Sequence, residues 1–255
     1  MVIRSKDNSF LKTVAKLKDK KFRDSSGKYV IEGYRAVKDS LPFLSGAQLL
    51  LSESACEKFS SEFSGTGFYV CTDELFKQIC DTENTQGVLC VSDKKIDSPE
   101  YKTQYVLLLD RIRDPGNMGT IIRTALATGF KDIFCVDCVD PYNPKVVRSA
   151  MSAVSKVNLF KVDYNCVKKL RQNGYKVFAA DMGGVNVFEA DLRFDKCCLV
   201  IGNEANGISE AIITASDEVL CLPMFEGESL NAGVSAAVLM YQLSFGSACL
   251  NKTQK

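Results

Sequence analysis

Histidine is absent from this 255-residue chain. Its absence removes the most common general base and every serine–histidine or cysteine–histidine triad. No apolar run approaches the ~20 residues that cross a bilayer. The first residues, Met1-Val2-Ile3-Arg4-Ser5-Lys6, lack an apolar signal core. Neither a membrane span nor export is therefore expected. Nowhere does Gly-x-Gly-x-x-Gly follow a strand, and Gly116-x-x-Gly119 is a poor substitute. That argues against a nucleotide-dependent oxidoreductase on a doubly wound sheet. The eleven cysteines are an odd number, and most lie inside apolar strands (Cys90, Cys135, Cys197, Cys198, Cys221). There a thiol behaves as a small hydrophobe, so a reduced, cytoplasmic protein is expected. Cys135-Val136-Asp137-Cys138 has the spacing of a metal or redox pair. Residues three apart in a strand face opposite sides, however, and the chain has no second such pair. No zinc site is expected.

What remains is ordinary soluble material: 46% apolar, 25% charged, long enough for one large domain or two smaller ones. The net charge of +1 hides an asymmetry, since residues 1–28 hold nine basic residues against three acids. Lysines 12, 16, 18, 20 and 21, with Leu11, Val14, Ala15 and Leu17 between them, read as a basic helix. It is either a solvated face or a phosphate-binding one.

A small α/β unit follows, with strands at Tyr29–Ile31, Gln48–Leu51, Phe68–Cys71 and Gly87–Val91, and helices at Tyr34–Leu41 and Asp73–Cys80. Residues 92–104 are polar and read as a linker. Beyond it, strands and helices alternate in a parallel-sheet rhythm. Strands fall at Val106–Leu109, Asp132–Val136, Val157–Lys161, Lys176–Ala180, Cys197–Ile201 and Val219–Met224, and helices at Thr120–Thr128, Asn143–Ser152, Asn165–Gln172, Ser209–Ala215 and Ser229–Phe245.

Three strand ends stand out. Val106–Leu109 is a bare apolar strand, as suits the centre of a parallel sheet. It runs into Asp114-Pro115-Gly116-Asn117-Met118-Gly119, then a helix carrying Arg123. Ligands of open α/β sheets bind at such strand ends. Arg123 is thus either a surface arginine or a group placed to meet an anion. Cys197–Ile201 runs into Gly202-Asn203-Glu204-Ala205-Asn206-Gly207, and Val219–Met224 precedes Ser229-Leu230-Asn231.

In order and spacing, Asn117-x-Gly119-x-x-x-Arg123, Gly202-Asn203-Glu204-x-x-Gly207 and Ser229-Leu230-Asn231 resemble the three motifs of the SpoU (TrmH) RNA methyltransferases. The resemblance implies a SPOUT domain over 105–255 with a parallel sheet and a trefoil knot, which chain-connection rules alone would not predict. It implies S-adenosylmethionine as cofactor, RNA as partner, a homodimer through the C-terminal domain, and methylation of ribose 2′-hydroxyls. Val30-Ile31-Glu32-Gly33-x-Arg35-x-Val37 and Thr85-Gln86-Gly87-Val88 resemble the small ribosomal-protein-like α/β domain that often precedes such catalytic domains. Residues 1–95 would then hold RNA, and 96–104 would be the linker.

By the same resemblance, the catalytic set is Arg123, Asn231, Glu204, Ser229 and Asn117. The cofactor set is Gly202, Asn203, Glu204, Leu222, Met224, Ser229 and Leu230, with no metal. Arg123 is usually assigned to activating the hydroxyl. A guanidinium stays protonated, so phosphate grip and charge stabilisation suit it better than a base. One departure is Ala232-Gly233, where many members carry valine-serine. Ribosomal RNA is the expected substrate. Transfer RNA and a non-catalytic RNA-binding protein are the alternatives. If the basic segment and small domain grip phosphates, RNA affinity of the full chain falls steeply with salt. Filter binding across a salt series measures this, and salt-insensitive binding would remove the segment as an RNA arm.

Overall fold

The computed structural model describes residues 2–82, 85–95, 98–227 and 229–246. The chain divides into two compact units, residues 1–95 with 142–156, and residues 96–141 with 157–255. Residues 96 and 97 of the expected linker lie outside the described residues.

The first unit begins with β1 (Val2–Ile3), α1 (Ser9–Lys16), α2 (Lys20–Ser26), β2 (Lys28–Glu32) and α3 (Tyr34–Ser40). It continues through β3 (Gln48–Ser52), α4 (Glu53–Phe59), β4 (Phe68–Cys71), α5 (Asp73–Ile79) and β5 (Val88–Asp93). Its sheet has the order β1-β4-β3-β5-β2 and mixes parallel and antiparallel pairs. Leu11, Val14 and Leu17 pack in one core with Leu50, Phe76 and Leu89.

The lysine-rich stretch forms two helices instead of the expected one. The Asp19 carboxylate accepts from the backbone N–H of Lys21 at 2.6 Å and of Phe22 at 3.3 Å, capping a fresh helix start. Much of the segment's charge is also already paired. Arg4 meets Glu53, Lys12 meets Asp7, Lys18 meets Asp81, Lys20 meets Asp24 and Lys28 meets Asp93. Arg23 is buried, its guanidinium donating to the carbonyls of Leu17 and Lys18, each at 2.8 Å. Exposed pairs of this kind are worth roughly 0–1 kcal/mol each, so phosphates can compete for those lysines. Arg23 is a structural residue.

The second unit carries β6 (Tyr105–Asp110), α6 (Pro115–Thr128) and β7 (Asp132–Val136). The chain then forms α7 (Pro144–Ala150) and α8 (Ala153–Lys156), which belong to the first unit. It resumes the second with β8 (Asn158–Lys161), α9 (Cys166–Gln172), β9 (Tyr175–Asn186) and β10 (Lys196–Ile201). The last elements are α10 (Glu210–Ala215), β11 (Glu218–Cys221) and α11 (Ala232–Tyr241). All six strands are parallel, in the order β11-β9-β10-β6-β7-β8. The central β6 and β10 are buried along nearly their whole length, which explains their unbroken apolar runs. The fold is the expected α/β class with its parallel sheet.

Four local expectations are corrected. First, α6 starts at Pro115, not near Thr120. Asp114 caps it, its carboxylate accepting from Asn117 N–H at 2.7 Å, and Pro115 occupies the first turn, where a missing N–H costs nothing. The proline-glycine stretch read as a loop is therefore the helix's first turn. Second, α11 starts at Ala232, leaving Ser229 and Leu230 before it, because Asn231 is the cap. Third, β9 runs on to Asn186, following β11 through a register shift at Val219 and Leu220. Fourth, Cys138 lies beyond β7. Asp137 adopts a left-handed φ of 45° and breaks the strand alternation that put the two thiols on opposite faces.

The Asp114 cap is testable. Asp114→Ala should lower stability by about 1 kcal/mol, the usual worth of a side-chain cap. Urea denaturation measures it, with Asp114→Asn retaining most of the stability because its amide oxygen can still accept.

Candidate active site

The loops after β6 and β10 are tied together by a buried carboxylate. Asp110, the last residue of β6, is 0% exposed and accepts from Ser209 N–H at 2.6 Å. It also accepts from the Arg111 side chain, at 3.2 Å from Nε and 3.3 Å from Nη2. Arg111 takes a left-handed φ of 58°, and its Nη2 donates to the Gly207 carbonyl at 3.3 Å. In return, Asn203 Nδ2 donates to the Arg111 carbonyl at 2.9 Å. Within residues 202–209, Asn203 and Gly207 exchange backbone hydrogen bonds, and Asn203 Oδ1 accepts from the N–H groups of Ala205 and Asn206. The loop closes so tightly on Gly202 that a Cβ there would stand 2.4 Å from the Gly207 carbonyl carbon. Only glycine fits.

The three motifs meet in one hydrogen-bond chain. Asn117, in the first turn of α6, donates through Nδ2 to a Glu204 carboxylate oxygen. Asn231 Nδ2 donates to Asn117 Oδ1 at 2.9 Å. The Asn231 Oδ1 caps α11, accepting from Gly233 N–H at 2.9 Å and Val234 N–H at 3.3 Å. Asn231 therefore uses its acceptor for the helix and its donor for the site. A Cβ on Gly233 would sit 3.2 Å from Asn231 Oδ1 and 3.4 Å from Thr120 Cγ2, so a small residue here lets α11 start close against α6. That gives a physical account of one half of the Ala232-Gly233 departure.

Beside this chain lies a cavity of roughly 440 Å3, within the range of small-molecule sites. Its walls include every residue expected to hold the cofactor: Gly202, Asn203, Glu204, Leu222, Met224, Ser229 and Leu230. The reading missed Asp181, Asn206, Cys221, Ser235 and Leu239, which also line it. Asp181 had a signal of the same kind as the others, an acid directly after the apolar run Lys176–Ala180. Among the described residues the lining holds two carboxylates, Asp181 and Glu204, and neither lysine nor arginine. Apolar walls, tight backbone at Gly202 and acidic charge suit a flat heteroaromatic group linked to a cationic centre. S-adenosylmethionine fits that chemistry.

Asn117, Asn231 and Arg123 do not line the cavity. The first two reach it through Glu204. Arg123 is exposed on α6, six residues beyond Asn117, or about 9 Å along a helix axis. One chain therefore does not bring Arg123 together with the cavity. Among the described residues no group of acids and cysteines could hold a metal, and no helix is long and apolar enough to cross a membrane.

Two family models match successive stretches of the chain. The SpoU rRNA Methylase family matches residues 104–241, and the MRM3-like substrate binding domain matches residues 8–90. The chain is 30% identical to the 23S rRNA (guanosine(2553)-2'-O)-methyltransferase RlmP of Bacillus subtilis, over 94% of this chain and 98% of that one. It is 33% identical to mitochondrial rRNA methyltransferase 3 of Xenopus laevis, over 92% of this chain and 73% of that one. Among solved structures, a TrmH-family RNA methyltransferase from Porphyromonas gingivalis superposes with a TM-score of 0.82 at 27% identity, covering 91% of this chain and 96% of that one. The AdoMet-bound rRNA methyltransferase of Sinorhizobium meliloti shares the fold, with a TM-score of 0.84 at 24% identity over 95% and 97% of the two chains.

Gly202→Ala tests the tight loop. The added methyl must displace the 207–208 backbone, at a cost of about 1–3 kcal/mol typical of overpacking. Thermal denaturation should show the loss, and S-adenosylhomocysteine should raise the melting temperature of the variant less than that of the parent.

Proposed function

The chain belongs to the SpoU rRNA methylase family, and we propose that its cavity holds S-adenosylmethionine for methyl transfer to a ribose 2′-hydroxyl of ribosomal RNA. The observation that carries this is the hydrogen-bond chain Glu204–Asn117–Asn231, which joins all three motifs at the cavity wall. Ribosomal RNA is preferred to transfer RNA because relatives aligned along most of this chain are named for ribosomal RNA.

The cofactor supplies a methyl group activated on a positively charged sulfur. The protein has to orient the reactants, and holding them in line can contribute roughly 7–11 kcal/mol. Gly202, Leu222, Met224 and Leu230 cradle the nucleoside, with Asn203 fixing the loop and Ser229 available to the sugar. Glu204 adds negative charge beside the cationic centre, and Asn117 and Asn231 set its orientation. Arg123 grips the phosphate of the target nucleotide and stabilises charge developing on the ribose oxygen. No histidine is required.

Since Arg123 lies off its own cavity, the reading includes a homodimer in which it serves the partner's cavity. Val234, Val238, Tyr241 and Phe245 support this, being 38–53% exposed at helical spacing beside α6. The knot belongs to the same reading. After β11 at the sheet edge the chain returns to α11, which packs on α6 and β10, and Leu222, Met224, Ser229 and Leu230 line the same cavity as Gly202, Asn203 and Gly207. Residues 1–95 act as the RNA-holding domain, and the protein works in the cytoplasm.

Arg123→Lys keeps the charge but loses the planar fork. Both Arg123→Lys and Arg123→Ala should slow single-turnover methylation by roughly 10²–10³, the loss expected for an oxyanion donor. Calorimetric titration of S-adenosylhomocysteine should show nearly unchanged affinity. Near-normal turnover in Arg123→Ala would sink the assigned role. Mapping of 2′-O-methyl sites in RNA from a strain lacking the protein identifies the substrate, and a lost site in transfer RNA would reverse the preference.

A further inference from the structure

Asp181 lines the cavity, and none of the residue roles proposed above involves it. The β9–β10 register ends with Val200 opposite Ala179, so Asp181 stands two residues past the last pair, as Gly202 does on the neighbouring strand. Its side chain is half-buried and held at one oxygen only. Oδ1 accepts from Gly183 N–H at 3.0 Å, closing a tight turn that fixes the carboxylate. Among the described residues Oδ2 accepts no hydrogen bond, and it lies across from Gly207, 3.7 Å from where a Cβ there would stand. A carboxylate accepts and does not donate, so a ligand group that meets Oδ2 has to be a donor.

The strand order β11-β9-β10-β6 sorts the cavity from end to end. Asn117 follows β6 and holds Glu204, in the loop after β10, and this end carries the methyl transfer. Leu222 and Met224 follow β11 and give apolar wall at the other end. Asp181 belongs to β9, between the two. S-adenosylmethionine carries donors in three places: the ammonium of its amino acid, the ribose diol and the adenine amine. Its charged sulfur belongs at the transfer end beside Glu204, and its flat adenine against the apolar wall. The ribose joins them. In doubly wound sheets an acid that follows a strand holds a nucleotide ribose through its hydroxyls.

Resting on the cofactor reading, we propose that Asp181 accepts hydrogen bonds from the 2′- and 3′-hydroxyls of the cofactor's ribose. The free Oδ2 takes one hydroxyl, and Oδ1, which keeps a second lone pair, takes the other. Asp181 is then a specificity residue that makes the cavity select ribonucleosides over deoxynucleosides. An analogue without the hydroxyls strips water from the carboxylate and returns no partner.

Calorimetric titration of the full-length protein tests this with three probes. They are S-adenosylhomocysteine, its 2′,3′-dideoxy analogue, and 5′-methylthioadenosine, which has the diol but no amino acid. Asp181→Asn keeps an oxygen for Gly183 N–H and loses the charged acceptor, whereas Asp181→Ala loses both. Both variants should bind S-adenosylhomocysteine and 5′-methylthioadenosine roughly 10- to 100-fold more weakly than the parent, the range for a charged hydrogen bond. The parent should discriminate against the dideoxy analogue by a similar factor. Substitution should leave the affinity for that analogue within about twofold, which also shows that the variants fold. Equal losses for S-adenosylhomocysteine and its dideoxy analogue in Asp181→Asn would overturn the proposal, as would no loss for either. A loss for S-adenosylhomocysteine without one for 5′-methylthioadenosine would also overturn it, by putting the acid at the ammonium. In each of these cases binding of S-adenosylhomocysteine by the parent leaves the cofactor reading standing. A parent that binds none of the probes removes both.

Discussion

The second unit depends on a carboxylate placed out of water at the end of its central strand. Burying Asp110 is costly unless its oxygens are satisfied, and here they are met by Ser209 N–H and the Arg111 guanidinium. Those partners are not local to the strand. Ser209 is the end of the loop after β10, and Arg111 reaches across to the Gly207 carbonyl. Satisfying one buried charge therefore fixes the position of a loop almost a hundred residues away. The strained left-handed backbone at Arg111 belongs to the same device, since it turns the residue back toward the carboxylate beside it.

From that anchor the cavity follows in steps. The 202–209 loop can close only because Gly202 lacks a Cβ, and its closure sets out Glu204 toward Asn117. Asn117 is oriented by a helix start that Asp114 caps, and Asn231 by a helix start that it caps itself. Two helix ends thus serve as the mounts of the polar chain, and helix stability and site geometry are one problem. The lining combines Glu204, the end of this chain, with apolar walls from the segment after β11, and its charged side chains among the described residues, Asp181 and Glu204, are both acidic.

The central strands, their order of appearance and the cavity loops were legible in the sequence, because unbroken apolar runs ending in glycine and asparagine are strong local signals. The start of α6 was harder. Asp114-Pro115 is a cap and first-turn pair, but the following Gly116 and Gly119 outweigh it when read as propensity. Asp181 went unnoticed because the expected strand stopped at Ala180, whereas β9 runs on to Asn186 and carries Asp181 to the cavity wall. The basic count of residues 1–28 overstated free charge, because the acids that pair with those lysines include Glu53, Asp81 and Asp93, far along the chain. Cys138 turned on one backbone dihedral at Asp137, a residue with no glycine-like signature.

The excursion of residues 142–156 has a consequence for how the molecule is made and cut. The chain crosses between its two units after residue 95, again after 141 and once more after 156. On the ribosome, the first unit must wait for α7 and α8 until β6, α6 and β7 of the second have already emerged. Cleavage at any single crossing leaves the halves covalently joined. Excising residues 1–95 is likewise no clean amputation, because it strands two helices that belong to the part removed.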